Sequence, residues 1–437
     1  VREINNIGAL CHPYKWLSEI HTHMHDSSLT PRPRNQHISN FGQLLAILES
    51  QKTIKIDTFA PASAIHASNG ALELFGTRRI DYNETENTAD GRFQPTAAAD
   101  EQIAHNLRIP APYLAQLRHD GRLDLYDANV NGMLHGPTAL SAPDHRHNRI
   151  FLLRLFAPNP HRKSGVVRAV LADTATVVDH LDALGAMVQG IRRAGAYVEM
   201  YSADLTDEHL TCSIFSPSLS LLANMFDPPR SEPDETTQSR TRMLDWARRR
   251  FGSRTVGSFL GVRISNSETG HRLLTVTPEL VLSDHGQVIA FPELSRIIQP
   301  MPGFGPDTVA VGAHTFEDRM SKIAEDVQAL AQQWLTPTFL THLAKRLRGL
   351  SKRPLGNRIA VLNTVTRTLE LSTDERHMLD ALLTDRPLSA ADLVIACSEL
   401  SRTADPDRAA KIEISSFQIA RRLAARAAPA RADDTPT

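Results

Sequence analysis

Hydrophobic and polar positions alternate most regularly between Val256 and Leu282. Leu260, Val262 and Ile264 share one face of a period-two pattern, and Leu274 and Val276 share one face of the next. Between them runs Ser265-Asn266-Ser267-Glu268-Thr269-Gly270-His271, so the spacing predicts two half-buried strands joined by a polar turn. Arg263 falls on the face opposite Leu260, Val262 and Ile264. It stands beside Gly261, where a missing side chain leaves room for close approach. This hairpin is the expected working surface.

The pattern upstream mixes both periods. Residues 1–36 show little periodicity and read as an N-terminal extension. From His37 the folded region begins, with Ser39 or Asn40 capping a helix whose Phe41, Leu44, Leu45 and Leu48 form one apolar stripe. A strand is expected over 53–59 and a polar surface loop over 81–96. Residues 97–117 predict two short helices broken near Ile109-Pro110. That corner resembles a helix-turn-helix DNA reader, but Arg108 in the turn and Pro110 and Pro112 beyond it favour a plain packing corner.

Strands over 150–156 and 166–171 predict a second hairpin. With a loop symmetric about His161, Arg154 faces Arg168, and like charges across a sheet need an anion between them. A carboxylate of the chain, such as Asp173 or Glu199, is favoured over an external phosphate. A helix over 179–193 and strands over 197–201 and 210–215 follow. Residues 227–240 lack hydrophobic anchors and read as a mobile insertion. The expected helix 243–251 carries Arg248, Arg249 and Arg250, followed by Arg254, the densest positive charge in the chain. Such a run suits a solvated helix end or a nucleic-acid contact.

Beyond residue 300 the period becomes helical. Thr315 can cap a long helix in which Met320, Ile323, Val327, Leu330 and Trp334 form a seam, docked on the sheet or on another subunit. Residues 345–353 form a second basic stretch, and Ser372-Thr373-Asp374-Glu375 reads as a capping box. Two more helices, 390–401 and 407–425, precede a disordered tail. The expected fold class is therefore α+β: a mainly antiparallel central sheet with flanking helices over 37–300, then a C-terminal helical domain over 312–425.

Composition narrows the function. Acids and bases nearly cancel, for a net charge of −1, so nucleic-acid binding must rest on a local patch. Three distant cysteines, Cys11, Cys212 and Cys397, make no disulfide framework and suit a reducing cytoplasm. Neither a bilayer-spanning run nor a secretory signal is visible, so no membrane partner is expected. His21, His23 and His25 could share one strand face and bind zinc or another transition metal, but no downstream motif supplies the remaining ligands. Asp204, Asp207, Glu208 and His209 could act as metal or acid/base groups, although a polar turn explains them as well. Phosphate-binding loops, Gly-x-Ser-x-Gly, His-Glu-x-x-His and paired cysteines are missing, and no cofactor is expected.

Several segments carry a family resemblance. They are HISNFGQLLAIL (from His37), IPAPYLAQL (from Ile109), GVVRAVLADTATVVD (from Gly165), LTDEHLTCSIFSP (from Leu205), GVRISNSETGHRLLTVTP (from Gly261) and the helical end near 390–407. In this order the chain resembles the phage/plasmid-like protein family, a domain-of-unknown-function group of plasmids, prophages and integrated elements. It departs from that pattern at Ala172-Asp173-Thr174-Ala175-Thr176 and at Ser283-Asp284-His285-Gly286. The resemblance implies a mobile-element setting and an α+β fold, with no established activity. The expected function is a non-enzymatic, nucleic-acid-binding accessory factor in DNA replication, recombination or maintenance. Its partner would be DNA, single strands included, although aromatic residues for base stacking are only 5% of the chain. Arg154, Arg168, Arg248, Arg249, Arg250, Arg254, Arg263 and Asn266 are the candidate contacts. The alternatives are a metal-dependent enzyme, or a structural protein that oligomerises through the 320–334 seam.

Overall fold

In the computed structural model the described residues are 36–80, 88–135, 149–158, 163–221 without 207, 258–298 without 271–272 and 283–286, and 313–427 without 384–387, 402 and 405. The first helix shows how local sequence starts the fold. Asn40 caps α1 (Phe41–Ile54) by accepting the backbone N–H groups of Gly42 and Gln43, at 2.8 and 3.3 Å. Leu44, Leu45, Ile47 and Leu48 then point into the core, and the chain passes directly into a strand.

That strand, β2 (Lys55–Pro61), belongs to a seven-stranded sheet with β3 (Ile65–Ser68), β4 (Ala71–Leu74), β5 (Arg78–Arg79), β6 (Gly91–Pro95), β7 (Ile150–Phe156) and β8 (Gly165–Ala172). Their order is β3-β4-β6-β8-β7-β2-β5, antiparallel except for the β6–β8 pair. A second sheet runs β1 (Gln36–Ile38), β9 (Glu199–Leu205), β10 (His209–Leu221), β11 (Ser258–Ser267), β12 (Thr275–Leu282) and β13 (Gln287–Ala290), with β14 (Arg296–Ile297) also on β12. The expected hairpin of 256–282 is the β11–β12 pair, with Val262 opposite Pro278.

Helices cover both sheets. α2 (Ala97–Leu107), α3 (Ala111–His119) and α4 (Leu123–His135) bury Ile103, Leu114 and Tyr126 against Phe93, Leu153 and Val167 of the first sheet. Arg108 ends α2 in the left-handed region, at φ 59°, and the 97–117 corner packs as a structural unit. On the second sheet, α5 (His180–Arg193) and α6 (Ala313–Trp334) share a core with Cys212, Ile264 and Val276. The bundle of α7 (Pro337–Ser351), α8 (Arg358–Leu369), α9 (Thr373–Leu382), α10 (Ala390–Ser401) and α11 (Pro406–Ala427) continues its core onto Leu260, Leu280, Ile289 and Phe291. The Ser372–Glu375 capping box is formed at the start of α9. Among the described residues no helix is long and apolar enough to cross a membrane.

The fold is α+β with a C-terminal helical region, and it differs from the sequence reading in three places. Two sheets stand where one was expected, because alternation marks a strand without naming its partner. The expected loop of 81–96 contains β6, an interior strand whose Phe93 is buried; one large apolar residue in a polar run is too little pattern to reveal it. The seam of Ile323, Val327 and Trp334 is buried within the chain, packed with Leu184, Met187 and Ile191 of α5. Residues 1–35 of the N-terminal extension, the 227–240 insertion, the 243–251 helix and the tail from 428 lie outside the described residues, while Gln36, the last residue of that extension, opens β1.

α5 and α6 approach most closely at Gly190, where an added Cβ would lie 2.4 Å from the Ala324 carbonyl oxygen and 2.8 Å from Val327 Cβ. Alanine normally favours a helix over glycine by up to about 1 kcal/mol. Here the sign reverses: Gly190→Ala is expected to destabilise by about 1–3 kcal/mol, because a backbone oxygen must move. A lower urea midpoint with an unchanged slope is the expected result.

Candidate functional site: an ionic hub between the sheets

Arg154 and Arg168 come together as the β7–β8 hairpin predicts, but not directly opposite. Arg154 pairs with Ala169 and Leu155 with Val167, so a bulge leaves Arg168 as the extra residue. The anion between them belongs to the protein, and it is neither Asp173 nor Glu199. It is Glu268, in the turn after β11 of the other sheet.

The turn is inserted rather than solvated. Asn266, Ser267, Glu268 and Thr269 are all buried, and Glu268 has no solvent exposure. Gln102 of α2 donates to the Thr269 carbonyl at 2.6 Å and accepts from the Val170 N–H of β8 at 2.8 Å, tying the turn to the first sheet. Gly270 has φ +78°, and a Cβ there would lie 2.9 Å from Leu171 Cδ2, so both backbone and space call for glycine.

Glu268 accepts from Lys55 Nζ at 2.5 Å, from the His180 backbone N–H at 2.6 Å and from Arg168 Nη2. Its carbonyl oxygen accepts from Arg154 Nη1 at 2.8 Å. Arg154 also grips Asp57 through two 3.0 Å bonds and donates to Asp179, which lies 3.5 Å from Lys55. Three cations, Lys55, Arg154 and Arg168, thus meet three carboxylates, Asp57, Asp179 and Glu268. Arg168 stacks over the Phe156 ring at 4.4 Å. Asp179 stands at the N-cap of α5 yet makes no capping bond, because its carboxylate is turned to the cations.

Asn266 organises the remaining member. Its Nδ2 donates to the Val178 carbonyl and to His180 Nδ1, each at 2.9 Å, which assigns the imidazole proton to Nε2. Burial pushes the His180 ring down to about 3, leaving it neutral. Burial would raise Asp179, but Lys55 and Arg154 outweigh it and hold the carboxyl at about 2. Against the same burial, the His180, Lys55, Arg168 and Arg154 groups keep Glu268 well below the usual carboxylate range. In this arrangement the charged groups serve to tie β2, β7 and β8 of the first sheet to the Glu268 turn and the start of α5. A cavity of about 100 Å³ lies alongside, lined in part by Asp57, Arg154, Asp179 and Asp182.

The expected phosphate contacts are corrected here. Arg154 and Arg168 are 2% and 5% exposed, and their guanidinium groups are committed to protein carboxylates. Arg263 is mostly buried, with Nε 3.2 Å from Glu279 and Nη1 on Glu413. Asn266 holds a histidine and a carbonyl. Arg248, Arg249, Arg250 and Arg254 lie outside the described residues, as do His21, His23, His25, Asp207 and Cys11. Among the described residues no group of three or more His, Cys, Asp or Glu could hold a metal ion; His209 is buried with Nε2 3.7 Å from Glu208. Cys212 and Cys397 are free and buried.

Sequence reasoning missed Lys55, Asp57, Asp179, His180 and Glu268. The facing arginines demanded a carboxylate, but nothing local named Glu268, which sits in a run that reads as solvent turn. No protein-family model, curated protein or solved structure matches this chain.

Glu268→Ala leaves Lys55 and Arg168 buried without their shared counter-charge, and the expected loss is about 3–5 kcal/mol of stability in urea unfolding. Asp179 has a depressed folded-state value, so its contribution is present above the ordinary value of 3.8 and is lost as pH falls through about 2. The stability gap between wild type and Asp179→Asn is therefore expected to shrink as pH drops across that window. A gap that stays constant would contradict the assignment.

Proposed function

We propose that the protein is a non-enzymatic nucleic-acid-binding accessory factor whose contact surface is the outer face of α7. The reading rests on one observation. Lys345, Arg348 and Lys352 follow at three- and four-residue steps along α7 and its C-cap, with Arg353 next, all exposed and with no ion pair among the described residues. The opposite face of α7 is spent on the core, through Leu340, Leu343, Leu347 and Leu350. The row therefore faces solvent by construction.

Charge distribution supports the same surface. Residues 337–427 hold fifteen Lys and Arg against ten Asp and Glu, in a chain whose net charge is −1, so the remainder is acidic. A basic face on an otherwise acidic molecule orients an approaching polyanion, and phosphate contacts through Lys and Arg need no base-specific geometry. The 320–334 seam is already used within the chain, which removes the specific surface that favoured an oligomeric scaffold.

The test is binding of labelled single- and double-stranded oligonucleotides to the full chain between about 50 and 200 mM salt. Four phosphate contacts give a slope of about −2.8 for single strands and about −3.6 for duplex in log affinity against log salt, losses of roughly 50-fold and 150-fold across that range. Changing Lys345, Arg348, Lys352 and Arg353 together to alanine is expected to abolish most of the binding and flatten the slope. Unchanged binding by that variant, or no salt-dependent binding by wild type, returns the protein to the scaffold reading.

A further inference from the structure

A second ionic cluster lies where β10, β11 and β12 meet α11, and among the described residues its charges, unlike those of the hub, do not balance. Glu279 is fully buried. Its register partners are Gly261 on β11 and Ala290 on β13, neither of which offers a side-chain donor. Gly261 makes the room: a Cβ there would lie 3.2 Å from Glu279 Cγ and 2.5 Å from the Ile214 carbonyl. Ser213 Oγ and Arg263 Nε both donate to Glu279 Oε2, at 3.3 and 3.2 Å. The other oxygen, Oε1, is buried with no hydrogen-bond partner in the structure.

Arg263 also reaches out of the sheet. Its Nη1 donates to Glu413 of α11, whose Oε1 accepts from Ser401 Oγ of α10 at 3.0 Å. One guanidinium thus serves two carboxylates, and among the described residues, with both ionised, the junction holds one negative charge without a cation of its own. β11 contributes Arg263 and α11 contributes Glu413; Cys212 of β10 feels Glu279 and Asp204 of β9, and its thiol is pushed up to about 12, mainly by burial. β13 sets Ala290 opposite Glu279, and α10 reaches the cluster through Ser401; α10 also carries the titratable Cys397 and Glu399, for which no contact with Glu279 is seen among the described residues. The same helix is seated by apolar contacts, with the Phe417 and Phe291 rings 5.3 Å apart.

We propose that Glu279, Arg263 and Glu413 form a proton-operated latch: uptake of one solvent proton at Glu279 Oε1 seats α11 on the sheet, and its loss loosens that seat. A neutral Glu279 leaves Arg263 and Glu413 as a balanced pair and removes the charge that has no partner. Burial, reinforced by Glu413 and opposed by Arg263 and Ser213, holds the Glu279 carboxyl up at about 7. A carboxyl raised on folding binds its proton more tightly in the closed form. Closure is therefore strengthened below neutrality and weakened as pH rises through about 7. The latch is independent of the nucleic-acid reading.

Amide hydrogen exchange of the full chain, corrected for intrinsic rates, tests this at about pH 6 and pH 8. Linkage with a folded value near 7 and an unfolded value near 4.5 predicts that protection in residues 406–427 falls about tenfold between the two. Glu279→Gln, which keeps the shape of the protonated acid, is expected to hold protection constant. Glu413→Gln removes the competing carboxylate and is expected to move the midpoint to lower pH, and it serves as the test if the Glu279→Gln chain does not fold. A pH-independent α11 in wild type overturns the latch. So does a wild-type profile in either variant, or an equal loss of protection in α2, which would place the proton's effect on the whole fold.

Discussion

Glu268 carries a full negative charge at a position with no access to water, and the meeting of the two sheets is arranged around that fact. An isolated carboxylate in such a place would cost several kcal/mol or give up its charge. This one keeps it because four donors converge: Lys55 from β2, Arg168 from β8, the first backbone N–H of α5 and, through the Glu268 carbonyl, Arg154 from β7. The three cations come from the first sheet, while the acceptor arrives on a turn of the second sheet, helped by the first N–H of α5, which packs on that second sheet. Neither part satisfies its own charges alone. Docking of the sheets and neutralisation of the cluster are one event.

That constraint decides what surface remains for partners. The sheet arginines are consumed in holding the molecule together, and a phosphate could reach them only by displacing carboxylates already in place at hydrogen-bond distance. A row of solvent-exposed positive charge lies instead on α7 of the C-terminal region, whose apolar stripe is used in packing and whose cationic stripe is left over. The ordinary amphipathic logic of a helix therefore places the basic face, with no special site architecture required.

The two ionic clusters differ in a way that bears on dynamics. In the hub, three cations match three carboxylates and none of the perturbed groups titrates near neutral pH, so its charge is constant across the ordinary range. At Arg263 one cation serves two carboxylates, one of which has an oxygen with no partner. A balanced buried network fixes structure, whereas an unbalanced one responds to protons. The sheet–sheet contact belongs to the first kind and the seat of α11 to the second.

Local pattern determined the elements wherever one residue type or spacing dominates. Asn40 capping α1, the box at Ser372–Glu375, the β11–β12 alternation and the 320–334 seam are decided within a few residues, because caps, periods and turns act at short range. Arg263 beside Gly261 was also legible, as was the need for an anion near Arg154 and Arg168. Tertiary structure alone decided which anion answers them, that the Asn266–Thr269 run is buried, that β6 lies inside a sheet and that the seam meets α5. Those outcomes depend on which strands pair and which faces meet. Glu268 is 100 residues from Arg168 and 213 from Lys55 in the chain, a separation no local spacing can encode.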